Sequence, residues 1–371
     1  MIQYTVMGTP GGSIVQNDGQ LERVRLVEPH PGIPANQLPG LDQLLARTRR
    51  GKFVYTAVVF GIITGIGVAS APYAGPGLAS MLTFGPALMA SVSIRVLVAT
   101  AGMAEAATRP FTLVDVAPDG MRVAGRAVGL QLPDHRWLTL RTGEPNRLLI
   151  AGIRRVWLLG PDARGRAFVL VPGNVRLHTA RLRDAPPSDS EPVPPAQRTP
   201  LRPNEDPILV GHLRATSRRL LVIVGVFLLI AATSLWAGFD TAIRSHLRAA
   251  GEMTAGFVLA FAMLLIAGQI LVAWFKQRKL LPADAGWFEL RVSLSAPFST
   301  TGAGITVLTG YATLPDNSVH SFRTAKIDAA LAANIAVTGQ LWAIGPFRRG
   351  KPIAIGLPGY PLFGQVTLDV R

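Results

Sequence analysis

A pattern of landmarks occurs twice in this 371-residue chain, and it constrains the fold more than any other feature. The first copy runs from Leu132 to Gly173 and the second from Leu314 to Gly359. Each contains Leu-Pro-Asp, a Trp followed three residues later by Gly-Pro, a glycine between two basic residues, and Pro-Gly. The landmarks are offset by 182, 185 and 186 residues, so their order is kept with small changes in length. We interpret this pattern as the tandem duplication of one module.

The apolar residues of the chain gather in four blocks. Apolar residues make up 49% of the chain and charged residues 16%, which is unusual for a soluble protein. Each block is close to the roughly 20 residues that cross the hydrocarbon core of a bilayer. The blocks predict four transmembrane helices arranged as two hairpins: Phe53–Ala71, Leu78–Leu97, Leu220–Trp236 and Thr254–Phe275.

Short segments rich in β-forming residues follow each predicted hairpin and indicate two small all-β cytosolic domains. In the second, three strands precede a predicted helix at Ala325–Ala333, and further strands follow. This order is typical of an OB-like barrel, and a pleckstrin-like or other small β-barrel is the alternative. In the first, Gly143–Ala151 is a poor helix former, so the order is less clear. Trp157 and Trp342 are predicted to fill the cores of the two barrels.

These elements divide the chain into six parts. We expect the proline-rich linker to be extended or disordered, because its composition does not support a core. With two spans in each copy, the copies have the same orientation, as parallel repeats. The predicted parts are an N-terminal cytosolic arm (1–46), a transmembrane hairpin (47–107), a β domain (108–183), the linker (184–213), a second hairpin (214–279) and a second β domain (280–371).

Basic residues set the predicted orientation. The formal net charge is +15, and basic residues stand beside one end of each apolar block. The positive-inside rule then places the N-terminus, both β domains and the C-terminus in the cytosol, at a plasma or inner membrane crossed several times. We expect other integral membrane proteins as partners in a hetero- or homo-oligomer, together with anionic lipid head groups. Nucleic acid is not expected as a partner.

Small residues recur on the predicted membrane helices and indicate close helix packing. Packing within the four-helix bundle and a seam to another membrane protein are both compatible with this pattern. The predicted packing residues are Ala57, Gly61, Gly65 and Ala69 on the first helix, and Gly256, Ala260, Gly268 and Gln269 on the fourth.

The repeated basic turns suggest a second candidate surface. Arg164 and Arg166 in the first copy match Arg349 and Lys351 in the second. One hypothesis is that both turns face anions, such as lipid head groups or an acidic partner. The alternative is a solvated basic turn without a partner.

Motifs that carry chemistry are missing from the sequence. Cysteine is absent, and no His-Glu-x-x-His, Gly-x-Ser-x-Gly or Walker pattern occurs. We therefore predict a protein that is not an enzyme and holds no cofactor or metal. The expected function is an accessory or scaffold subunit of a larger plasma-membrane assembly for secretion, transport or the cell envelope. The alternative is an oligomeric channel or passive carrier gated by its β domains.

Overall fold

The computed structural model describes most of the chain outside the first predicted hairpin. Two β units and a pair of long helices make up the described part. The described residues are 24–38, 41, 103, 105–162, 165–196, 202–244, 250–278, 286–299, 304–314, 316–345 and 351–369.

The first β unit is an antiparallel sheet with one helix. Its eight strands lie in the order β1-β5-β6-β7-β4-β3-β2-β8. The elements are β1 (Thr112–Asp115), β2 (Met121–Ala124), β3 (Ala127–Gln131), β4 (Trp137–Arg141), α1 (Glu144–Ile153), β5 (Arg155–Leu159), β6 (Arg166–Leu170), β7 (Leu177–Arg183) and β8 (Glu191–Pro192).

The second β unit is a closed antiparallel barrel of six strands, in the order β11-β12-β16-β15-β14-β9. Two short strands, β10 and β13, pair beside it. The elements are β9 (Trp287–Leu294), β10 (Ile305–Thr306), β11 (Thr309–Thr313), β12 (Val319–Thr324), β13 (Ile327–Asp328), α4 (Ala329–Thr338), β14 (Gln340–Ile344), β15 (Pro352–Gly356) and β16 (Phe363–Asp369).

The two units share one strand order. The run β1-β5-β6-β7-β4-β3 in the first corresponds to β9-β14-β15-β16-β12-β11 in the second. The second unit closes because β9 pairs with β11. In the first unit, the hairpin strand β2 and then β8 add to β3 instead, so that sheet stays open.

The repeated Leu-Pro-Asp landmarks form the same tight hairpin loop. In the first unit, the Leu132 N–H donates to the Arg136 carbonyl at 2.8 Å, and in the second the Leu314 N–H donates to the Ser318 carbonyl at 2.9 Å. His135 and Asn317 follow the aspartates with φ of 64° and 62°. Both loops are the three-residue hairpin type that ends on a left-handed residue.

The repeated Pro-Gly landmarks also share their geometry. The Asn174 N–H donates to the Val171 carbonyl, and the Tyr360 N–H to the Leu357 carbonyl, both at 3.0 Å. The two glycines have φ of 75° and 73°, which only glycine adopts readily. Proline followed by such a glycine is the signature of a type II turn.

Several predicted elements of the β units need correction. The barrel has six strands and is fully closed, whereas an OB-fold is a five-stranded, partly open barrel. The predicted helix at Ala325–Ala333 begins later, at Ala329, because the Asp328 side chain accepts the Ala330 N–H at 2.9 Å and caps the helix. Helix α1 forms despite its poor propensity, because Pro145 begins its first turn and Leu149 is buried.

Two long helices connect the β units. Helix α2 is Pro207–Arg244 and α3 is Ala250–Arg278, and they pack side by side. Beyond the first turn of α2, the buried residues among those described on the two helices are small or β-branched and seven positions apart: Val224 and Ala231 on α2, and Ala260 and Ala267 on α3. This spacing returns to the same face of a helix every two turns.

The prediction of a four-helix membrane protein in two hairpins is wrong. Most elements of the described part are strands, and among the described residues only Pro207–Trp236 is long and apolar enough to cross a membrane. In α3, where the fourth span was predicted, the apolar stretch Ala260–Val272 is too short. The first predicted hairpin lies almost entirely outside the described residues. A multi-pass location is therefore not supported, and one membrane-capable helix remains.

The two β units pack against each other and are together called the β body. A single cluster of buried apolar side chains includes Leu138 and Val169 of the first unit together with Ile327 and Tyr360 of the second. Ile208, in the first turn of α2, belongs to the same cluster. The helix therefore begins inside the β body and leaves it only after two or three turns.

Candidate functional site

The described part of the chain holds few clusters of ionisable side chains that could form a site. No group of three or more His, Asp and Glu side chains there could hold a metal ion. The buried ring of His178 lies with Nε2 at 3.4 Å from Asn146 Nδ2, and burial lowers its pKa. This contact between an imidazole and an amide lies within the first β unit.

The N-terminal segment Val24–Leu38 lies between the two β units. This part of the predicted N-terminal arm (1–46) is packed. Its Val24 and Leu26 side chains join the main core, while Val27 packs in a second cluster. The Ala35 N–H donates to the Arg109 carbonyl at 3.0 Å and holds the end of the segment. The segment therefore belongs to the folded body.

Asn334 is the polar centre of this junction. Its side chain is on α4, and the residue is 1% exposed. Oδ1 accepts the Val27 N–H at 2.8 Å, and Nδ2 donates to the Gly173 carbonyl at 3.0 Å and to the Ala330 carbonyl at 2.7 Å. One buried amide thus joins the N-terminal segment, the first unit and the second unit.

The two Pro-Gly turns meet at the same junction. A Cβ added at Gly173 would lie 2.9 Å from Cδ1 of Tyr360, which follows the Pro-Gly of the second unit. The Gly359 N–H donates to Asp206 Oδ2 at 2.9 Å. Asp206 Oδ1 accepts the Ile208 N–H at 2.9 Å, so the same carboxylate caps α2. The turn of the second unit is thereby fixed to the start of the long helix.

An ion pair ties the N-terminal segment to the first unit. Glu28 Oε1 lies 3.1 Å from Arg155 NH2, and the glutamate side chain is only 9% exposed. Burial raises the pKa of Glu28, and the neighbouring Arg155 lowers it by less. The carboxylate is therefore held in a partly desolvated position where its charge is costly.

Trp157 and Trp342 are both buried, but in different clusters. Trp157 packs with Phe168 and Leu170 in a second cluster, on the opposite face of the sheet from the main core, so its predicted position in a barrel core is wrong. Trp342 belongs to the main cluster of buried side chains, and its register partner on β9 is Glu289.

The helix pair exposes most of its apolar side chains. Only 12% of the apolar window of α2 is buried, whereas the core helix of a soluble protein would be mostly buried. Large exposed side chains on α2 include Val222 (67%), Leu229 (65%) and Trp236 (76%). On α3 they include Val258 and Phe261. A contiguous apolar surface of this kind marks contact with lipid or another protein.

The predicted packing residues are only partly among the described residues. Those of the first helix lie outside them: Ala57, Gly61, Gly65 and Ala69. On α3, Ala260 is buried, while Gly268 and Gln269 are exposed. Gly256 lies within the same helix. Gly268 has open space around it, so it makes no close helix contact in this arrangement.

No contact between the two predicted basic turns occurs among the described residues. Arg164 and Arg349 lie outside the described residues. Arg166 pairs with Asp162, with Nε 2.8 Å from Oδ2, and Lys351 is exposed. The anion-facing edge therefore stays a prediction.

Asn334 and Asp206 are not identified from the sequence, although their side chains form hydrogen bonds across the junction. Asn334 is the one strongly polar residue of an otherwise apolar helix, Ala329–Thr338, and this was a usable signal of a buried partner. Asp206 directly before an apolar helix is a recognisable N-cap. Asp206 falls instead within the predicted linker (184–213).

Comparisons with known proteins do not identify a family. No family model, no curated protein and no solved structure matches this chain.

Proposed function

We propose that this protein is a non-enzymatic scaffold subunit that is anchored in the plasma membrane through its helix pair, α2 and α3, with both β units on the cytosolic side. In this proposal it serves a larger membrane assembly, such as one for secretion, transport or the cell envelope. The observation that carries the proposal is the apolar, exposed surface of the helix pair, joined rigidly to a folded body without a recognisable catalytic arrangement among its described residues.

The length and flanks of α2 support the anchor. The uncharged stretch from Leu220 to Phe239 extends about 30 Å at the rise of an α-helix, which matches a hydrocarbon core. Arg214, Arg218 and Arg219 precede it directly. Basic residues at one end of an apolar helix favour the cytosolic side for that end.

The rigid joint between helix and body supports the scaffold role. Asp206 connects the first turn of α2 to Gly359, and Leu209 is fully buried in the body. A body that is fixed to its anchor keeps a constant distance and orientation to the membrane. A constant orientation favours a role in positioning partners over a role as a sensor that must move.

Charged substitutions on α2 test the anchor. Leu229→Arg places a charge near the centre of the stretch, at a cost of about 2.5–3.5 kcal/mol, and Val222→Arg adds a smaller cost because it lies close to the interface. We expect the full chain to move from the membrane pellet to the soluble or aggregated fraction after expression and carbonate washing. Val319→Arg is the matched control, because Val319 is equally exposed (62%) but lies on β12. Equal retention of the native protein, the double variant and the control in the membrane pellet would reject the anchor.

The scaffold role has its own test. The native protein extracted in mild detergent should migrate as a complex larger than one chain, and Ala260→Leu should reduce that size if helix packing contributes. Gly268→Leu serves as the control, since open space surrounds Gly268. A monodisperse single chain without partners would contradict the scaffold, as would ion flux from the purified protein in liposomes.

A further inference from the structure

Four arginines lie together on the outer face of the first β unit. They are Arg141 on β4, Arg181 and Arg183 on β7, and Arg166 on β6, and all four are exposed. Arg166 and Arg181 are directly opposite each other in the register of β6 and β7. Their Cβ atoms are therefore about 5 Å apart, and like charges in such positions are destabilising.

This arginine face has few acidic counterparts. Arg166 pairs with Asp162, but Arg141, Arg181 and Arg183 form no ion pair with any described residue. The face therefore keeps three uncompensated charges within a small area of sheet.

The second unit provides an internal comparison, because the same strand positions recur in it. Pro352 and Thr367 are opposite each other on β15 and β16, as Arg166 and Arg181 are on β6 and β7. Asp369 takes the place of Arg183, and Arg323 the place of Thr139. That face carries one positive and one negative charge. The fold therefore does not require the arginines, and their presence in one copy needs another reason.

We propose that the arginine face of the first unit, formed by Arg141, Arg166, Arg181 and Arg183, binds an acidic polypeptide segment of a partner. The guanidinium group suits this role because its planar donors bind carboxylates in pairs. The inference rests on the proposed scaffold function, since it specifies the chemistry of the partner that the body positions.

Two other anionic partners fit the face less well. Single-stranded nucleic acid needs exposed aromatic rings for base stacking, whereas Trp137, beside Arg183 in register, is only 9% exposed. Lipid head groups would lie at the base of α2. Arg176 directly precedes strand β7 and forms an ion pair with Asp328 of the second unit. At about 3.3 Å per residue, Arg181 lies about 17 Å and Arg183 about 23 Å from Arg176 along the strand.

The test uses the full chain in nanodiscs of neutral lipid and a fluorescein-labelled hexaglutamate peptide as the probe. Arg181→Thr with Arg183→Asp installs the residues that the second unit carries at these positions. We expect peptide binding to weaken about tenfold, in line with the loss of exposed charge pairs. Arg323→Thr with Lys326→Glu changes the net charge by the same amount in the second unit, and we expect binding to stay within about twofold.

The outcomes separate this inference from its alternatives. Equal peptide affinity in both variants, or equal loss in both, would overturn it. A single-stranded oligonucleotide of equal charge that binds the same face more tightly would also overturn it, in favour of nucleic acid. If anionic lipid in the nanodisc abolished peptide binding by covering the face, the partner would be the membrane. Membrane retention is scored separately, so failure of the peptide test leaves the anchor proposal standing.

Discussion

Replacing Asn334 by alanine should destabilise the β body more than the removal of so few atoms suggests. The substitution leaves the Val27 N–H and the Gly173 carbonyl without their partner in a buried junction. Each unsatisfied buried group costs about 1–3 kcal/mol. The third contact, to the Ala330 carbonyl, costs less because that oxygen keeps its place in the backbone bonding of α4. We expect a loss of about 2–4 kcal/mol, from a total of about 5–15 kcal/mol for a protein of this kind.

Urea denaturation followed by tryptophan fluorescence in mild detergent measures this loss, because Trp157 and Trp342 are both buried near the junction. Asn146→Ala is the control, since that amide bonds mainly within its own helix region, to Thr142 Oγ1 at 3.1 Å. We expect the control to lose about 1 kcal/mol. If Asn334→Ala stayed within about 0.5 kcal/mol of the native protein, the amide would not be holding the units together.

Three further substitutions probe the junction. Asp206→Ala should cost about 1–2 kcal/mol in urea denaturation, since it removes the cap of α2 and the bond to the second Pro-Gly turn; no change would show that the cap is dispensable. Because burial raises the pKa of Glu28 above its usual 4.5, the folded state binds that proton more tightly and the contribution of Glu28 to stability falls as the pH rises through this range. Glu28→Gln should therefore gain stability relative to the native protein as the pH rises above 4.5 in a series of urea titrations, and parallel pH profiles would contradict this. Gly173→Ala should lower the melting temperature more than Gly125→Ala, because both have positive φ but only Gly173 faces a ring, that of Tyr360; equal shifts would leave the backbone conformation as the only cause.

Local features of the β units could be predicted from the sequence. The sequence predicts strands at Phe288–Leu294, Val319–Thr324 and Ile335–Ile344, and they form at Trp287–Leu294, Val319–Thr324 and Gln340–Ile344. The repeated Leu-Pro-Asp and Pro-Gly landmarks form matching turns, because Pro fixes φ and Gly permits positive φ wherever they occur. These are short-range properties, which depend on few neighbours.

Features that depend on distant contacts could not be predicted in the same way. Met121–Val128 reads as one strand, but Gly125 at φ 56° turns it into a hairpin. Trp157 was assigned to a barrel core because it is large and apolar. The outer face of the first unit is itself covered by the N-terminal segment, so alternation along β5 does not distinguish inside from outside.

Membrane crossing was overestimated for a related reason. Apolar length alone does not show how a helix is used. Residues at the start of α2, such as Leu209, are buried in the β body, and only the later turns expose their apolar side chains. In α3 the qualifying apolar stretch is shorter than a bilayer requires. A count of apolar blocks therefore overstated the number of crossings.

The contact between the two Pro-Gly turns is made within one polypeptide chain, and this affects how strongly the two β units are held together. Because both halves are on one polypeptide, each meets the other at a high effective concentration, in the millimolar range for short flexible connections. A contact too weak to pair two free copies is then sufficient. Cutting the chain between Glu191 and Pro207 should therefore leave two fragments that separate on dilution, even though every contact at the turns is retained.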